Sequence, residues 1–350
     1  MALFTLRRPA APSTRAACRH RVARTVRLLP ALALGALLAL PAGSADAAGA
    51  TFSHARSGLP WASGMSGWNR PNTSTMPKFE AWRGHKLDMI LGWAPRTTWS
   101  SFVGYFEGGS FASFARQPVR AVIRTPLLMN ANKGQFKECA QGAFDTYFRR
   151  AAQAVARRGK KDTVFSLGWE ANGSWYSWSI GSQPEAYKAC FRHVAGVIRG
   201  VIKGATIEWS MAKQGHITYS VEKAYPGDDV VDIVGLSFYD RYPNYPSTQT
   251  WNVSLQKSNN GGPGGLGTWL NFAKKHGKKL AVGEWGVSDG IGGGTDNPVF
   301  IKGMVDFFKK NAAYIAYESY YNAGGGTFQI YPESYNPKAG AMYRTLYKGL

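Results

Sequence analysis

"TVFSLGWE" (residues 163–170) is a short apolar run that closes on one carboxylate. A run of β-branched and aromatic residues of this length, bounded by a turn, is the pattern of a buried strand. "ANGSWYSWS" follows at 171–179, turning at Asn172-Gly173-Ser174 and continuing as indole and phenol. A buried strand has no use for a lone charge, so Glu170 reads as the point where a strand opens onto aromatic surface. The same grammar recurs along the chain. Strands are expected at 87–93, 119–128, 163–170, 206–211, 231–240, 279–286 and 314–322, with a degenerate one at 58–65. Helical patterns at 143–158, 184–202, 266–276 and 297–310 lie between them. Several of these end in glycine beside basic residues ("RRGKK", "KHGKK"), as helix C-termini favour. Alternation of this kind implies a parallel sheet, and eight such units define a (β/α)8 barrel, an α/β fold in a single domain.

An open doubly wound sheet would need a glycine-rich turn after its first strand. The glycine-rich stretches "NNGGPGGLG" (259–267) and "DGIGGGTDN" (289–297) do not join a strand to a helix in a phosphate-cradling form and read as surface loops. No nucleotide, flavin or other cofactor site is expected. His216 and His193 have no partner at metal-ligand spacing, so no metal is expected either. His193 is expected to face a neighbouring helix.

The first 47 residues stand apart. They hold seven arginines and one acid, an apolar run "LLPALALGALLAL" (28–40) and small residues "ADA" (45–47). This is the layout of a secretory signal peptide, with an apolar run too short to span a bilayer. The expected division is therefore a signal at 1–47 and a catalytic domain at 48–350, secreted, with no membrane insertion after the signal is removed. Of three cysteines, Cys18 leaves with the signal, so Cys139 and Cys190 are the expected disulfide in an oxidising compartment. The chain carries a formal charge of +21, of which about +15 remains for 48–350 by subtraction. Such a balance favours polyanionic surroundings. Its basic residues are scattered without a recognition motif, and export argues against a nucleic-acid partner. A monomer is expected.

Catalytic groups in such a barrel come from the C-terminal ends of strands. Glu170 and Glu284, the latter in "AVGEWG", sit at such ends, on strands four and seven, each followed by aromatic residues. Two carboxylates across a cleft are the minimal equipment for cleaving a glycosidic bond, and aromatic faces suit sugar rings. Glu208 and Glu318 also lie in strands but head no comparable motif.

"LGWEANGSWYSWS", "VDIVGLSFYD" and "KLAVGEWGV", in that order, resemble glycoside hydrolase family 26, a β-mannanase-like family in the clan of retaining barrel glycosidases. The resemblance spans roughly Trp93 to Tyr347. It implies Glu170 as proton donor, Glu284 as nucleophile and Tyr239 as the tyrosine bonded to the nucleophile. It further implies endo-acting double displacement on a β-linked polysaccharide, β-mannan first, with the two carboxyl groups about 5–5.5 Å apart. Trp93, Trp169, Asn172, Trp175, Trp178, Tyr239 and Trp285 are the expected sugar-binding residues. Three positions depart from the family pattern: Trp169 stands for a typical His, Ser166 for a frequent Arg and Ser237 for a frequent Asp. Two alternatives stay open: a barrel that binds polysaccharide without cleaving it, and a hydrolase of an acidic exopolysaccharide. The second rests on Arg96, Arg124, Lys213, His216 and Arg241, all at or near strand ends expected to face the mouth.

Overall fold

The computed structural model describes residues 51–67, 75–241, 244–323 and 325–350. The expected signal at 1–47 lies outside the described residues.

Eight parallel strands close into a barrel: β1 (Ser63–Ser66), β2 (Met89–Trp93), β3 (Arg120–Thr125), β4 (Val164–Leu167), β5 (Thr206–Ala212), β6 (Ile233–Tyr239), β7 (Lys279–Gly286) and β8 (Ile315–Tyr321). They pair in sequence order, and β8 returns to β1. Seven fall where apolar runs predict them. The degenerate first strand lies a few residues later than its pattern suggests, because Gly58 adopts a left-handed φ of +71° and turns the chain before the ladder begins.

The connecting helices are α1 (Thr75–Arg83), α2 (Trp99–Glu107), α3 (Gly109–Ala115), α4 (Phe136–Ala140), α5 (Asp145–Arg157), α6 (Pro184–Val201), α7 (Thr248–Leu255), α8 (Leu266–Lys275), α9 (Pro298–Lys310) and α10 (Pro337–Lys348). Local chemistry explains their starts. Proline opens α6, α9 and α10, where its missing N–H costs nothing. Asn297 caps α9 by accepting from the amides of Val299 and Phe300. The same side chain donates from Nδ2 to Asp240 Oδ2 at 2.9 Å, so the cap also fixes the loop after β6.

Apolar side chains fill two regions. The larger lies between barrel and helices. The smaller plugs the lower barrel with Phe52, Met89, Leu91, Val122, Val164, Ile233 and Ala281. Above that plug the interior changes character, to a layer of Arg124, Ser166, Glu208 and Tyr317.

β7 carries one extra residue. Val282 pairs with Glu318 and Trp285 with Tyr320 on one side, while Ala281 pairs with Gly235 and Glu284 with Ser237 on the other. Both neighbours advance two residues where β7 advances three, which is a β-bulge. Gly283 and Glu284 therefore both face inward, and Trp285 faces the helix layer.

Cys139 on α4 and Cys190 on α6 form the expected disulfide, with Cα atoms 5.2 Å apart. His193 on α6 meets Asp145 of α5 at 2.7 Å, so it faces the neighbouring helix.

Candidate active site

β4 ends at Leu167, and the chain bends through Gly168 and Trp169 before Glu170. Glu170 takes a φ of +53°, a left-handed conformation that costs a non-glycine residue about 1–3 kcal/mol. Its amide donates to Ser210 O of β5 at 2.8 Å, which holds the bend. Asn172 reinforces it: Nδ2 donates to Ala212 O and Oδ1 accepts from Ala212 N, at 2.8 and 2.9 Å. Asn172 is thus buried against β5 and positions the loop; it is not available to a sugar.

Glu170 and Glu284 line one cleft of about 550 Å³, together with Trp175, His216, Tyr239 and Tyr321. Glu284 is anchored at both oxygens. Oε1 accepts from Arg124 Nε at 3.0 Å, and Oε2 accepts from the Tyr239 hydroxyl at 3.1 Å. Glu170 Oε2 accepts from the Trp175 indole N–H at 3.0 Å. Burial pushes the Glu170 carboxyl up to about 7, and the negative charge of Glu284 adds to the rise; Arg124 and the Trp175 bond oppose it.

Arg124 is fully buried, which corrects its expected place among the cations facing the mouth. Its Nη1 donates to Ser166 Oγ at 2.7 Å and to Glu208 Oε1 at 2.9 Å. Glu208 accepts from Ser166 and Tyr317 as well, so it closes a buried network under Glu284. Burial works against the Arg124 charge, but Glu284 and Glu208 outweigh it and hold the guanidinium firmly protonated. Space for the network comes from two glycines. A Cβ at Gly235 would stand 2.4 Å from Glu208 Oε1, and one at Gly283 would stand 2.9 Å from Arg124 Nη2.

The aromatic residues divide. Trp175 is 46% exposed and stands edge-on to His216 in the cleft wall. Tyr239 lines the cleft, and burial followed by the charge of Glu284 holds its hydroxyl protonated. Trp93 is half-buried at the end of β2, edge-on to Tyr321. Trp169, Trp178 and Trp285 are core residues, which corrects their expected role as sugar platforms. Trp169 donates to the Tyr176 hydroxyl and Trp178 to Trp169 O. The bulge turns Trp285 outward, where it donates to Glu318 at 2.6 Å. Arg96 lies over the Tyr176 ring rather than in the cleft wall.

Sequence reasoning missed Tyr321 and Phe328 in the cleft wall. Tyr321 ends β8 and obeys the strand-end rule; Phe328 comes from a loop with no periodic signal. Among the described residues no group of three or more potential metal ligands occurs, and no helix is long and apolar enough to cross a membrane.

Fold and site define a parallel (β/α)8 barrel with a carboxylate pair in an aromatic cleft at its strand ends. The family model described as glycosyl hydrolase family 26 matches residues 151–262, and over that stretch the chain is similar to the family. It is 28% identical over 197 residues to endoglucanase H of Acetivibrio thermocellus, covering 53% of this chain and 20% of that protein. To a mannan endo-1,4-beta-mannosidase of Bifidobacterium adolescentis it is 24% identical over 199 residues, covering 52% and 19%. The chain thus spans about a fifth of the length of these curated relatives. Its fold matches the catalytic domain of a Bacillus sp. JAMB-750 family 26 endo-beta-1,4-mannanase with a TM-score of 0.58 at 16% identity, over 86% of this chain and 90% of that one.

Proposed function

We propose that this chain is a secreted, retaining endo-glycoside hydrolase that cleaves a β-linked polysaccharide of mannan type. The observation that carries the reading is the unequal treatment of two carboxylates in one cleft. Glu170 is pushed up to about 7 and so keeps its proton near neutrality. Glu284 is held at both oxygens by a buried cation and a phenol. Glu170 then protonates the glycosidic oxygen as Glu284 attacks the anomeric carbon and the leaving sugar departs. Glu170, now ionised, takes a proton from water, whose oxygen attacks the same carbon and releases Glu284. Each displacement inverts the anomeric centre, so the product retains configuration. The similarity to a mannan endo-1,4-beta-mannosidase favours mannan, and the layout of residues 1–47 with the Cys139–Cys190 bridge favours export.

Reducing-sugar release from purified β-mannan, β-glucan and xylan tests the activity, and an NMR time course of the first product tests the stereochemistry. Release with retained configuration is expected, lost in Glu284→Ala while that variant still binds oligosaccharide. A first product of inverted configuration would remove the covalent mechanism; no release from any of the polymers would remove the hydrolase reading.

A further inference from the structure

The catalytic cleft does not end at its own walls. A side pocket of about 400 Å³ leaves it between the loop after β5 and the hairpin near residue 258, sharing Lys213, Gln214 and His216 with the cleft. Lys213 and Lys257 line it, and no carboxylate does. Arg241 stands in the cleft wall beside Lys213.

Two of these three cations are held in place. Lys213 Nζ donates to the carbonyls of Tyr239 and Arg241 at 3.3 and 3.2 Å and lies 4.4 Å from the Tyr245 ring centre. Arg241 Nε donates to Ser288 Oγ, and its guanidinium lies over Tyr239 and Phe328. Among the described residues, none of the three forms an ion pair with a carboxylate. The nearby acid, Asp240, is fully buried and turned toward the Asn297 cap and the Tyr245 amide. Burial pushes the Lys213 ammonium down to about 7; Asp240 opposes that fall, and Lys257 and Arg241 deepen it. Like charges crowded beside a cleft, none of them paired to a carboxylate, favour a ligand that brings its own negative charge.

We infer that the side pocket is a subsite for a carboxylate-bearing sugar unit, with Lys257 and Lys213 as its recognition groups and Arg241 adding its charge from the adjoining cleft wall. The inference rests on the hydrolase reading for its place along a polysaccharide, but its chemistry is independent of turnover. The two ammonium groups supply attraction without fixed geometry, and the Arg241 fork, in the cleft wall, suits a carboxylate on the part of the chain that continues from the pocket into the cleft. A mannuronate unit differs from mannose in carrying a carboxylate at C6 in place of a hydroxymethyl group, so the pair isolates the charge.

The test is calorimetric binding of a β-1,4-linked mannuronate tetrasaccharide and of mannotetraose to the Glu284→Gln chain, at low and high salt. Glu170→Gln serves as a second inactive background. The uronate is expected to bind about tenfold more tightly at low salt, an advantage that shrinks at high salt as screening grows. Lys257→Ala and Arg241→Gln should each erode that advantage. Equal or tighter binding of mannotetraose at low salt, or an advantage that survives both substitutions, would overturn the subsite. Reducing-sugar release by the unmodified chain is measured in parallel. If neither polymer is cleaved, the hydrolase reading fails while the binding comparison still decides the pocket. Cleavage of neutral mannan with no preference for the uronate removes the pocket and leaves the hydrolase.

Discussion

Arg124 shows how a single side chain can be misread from its address. A basic residue near a strand end suggests solvent, yet it is buried between Glu284 and Glu208. The family pattern puts an arginine where this chain has Ser166, and the register pairs Ser166 with Arg124 on β3 and with Glu208 on β5. The cation thus reaches the site from one strand over. Removing one member of a buried ion pair leaves the other uncompensated, so Arg124→Met should destabilise the fold by about 3–5 kcal/mol. Adding Glu208→Gln should restore part of that loss in urea denaturation, while kcat stays down by about 100-fold because Glu284 lacks its donor. Full recovery of kcat in the double variant would contradict this role. Glu170 makes a prediction of opposite visibility. Its pKa is raised to about 7, so the proton needed for the first displacement is present below that pH and lost as pH rises through it. Activity should fall on that alkaline limb. The Trp175 indole bond stabilises the ionised form, so Trp175→Phe should move the limb upward, by up to about one pH unit. A downward shift in the pH profile of kcat/KM would refute the assignment.

At the scale of elements, alternation of strands and helices made the barrel legible, because helices buried on one side read with a helical period and strands buried on both sides read as short continuous apolar runs. Helices α5, α6, α8 and α9 fall within a residue or two of their apolar patterns, whereas α10, longer than α8, lies outside the expected spans. The shorter α2, α3 and α7 carry too few turns for a period to declare itself. The two glutamates could be found because each lies near the C-terminal end of a strand, Glu170 just beyond β4 and Glu284 among the last residues of β7. The division of the tryptophans could not, since an indole satisfies a core and a sugar platform equally well, and only the side it faces decides. For Trp285 that side is set by the bulge in β7, which strict alternation cannot foresee. The glycines that admit the polar layer were equally silent. Gly235→Ala would push a methyl group into Glu208, and overpacking of this kind costs about 1–3 kcal/mol. A lowered Tm with reduced kcat is expected; an unchanged kcat would mean that Glu208 can move without disturbing Arg124.

For the whole molecule, one covalent tie joins the helical layer, from α4 to α6 across 51 residues of chain. A loop of that length contributes at most roughly 4 kcal/mol by restricting the unfolded chain. Cys139→Ala/Cys190→Ala should therefore unfold at lower temperature in a calorimetric scan; an unchanged Tm would show that the strain of the bridge cancels its restriction. The barrel as a whole also limits how this sequence can change. In an open sheet a strand can slide to absorb an insertion or deletion, but β7 is paired on both edges within a closed ring. Loss of the single residue Gly283 would erase the bulge and leave one inward position where there are now two, so Glu284 would keep facing the cleft and Trp285 the helices. With Gly283 kept and the bulge straightened, strict alternation would instead turn Glu284 toward α9 and α10 and Trp285 toward the substrate, so one irregular step in the ladder decides whether the barrel offers its cleft an acid or an indole.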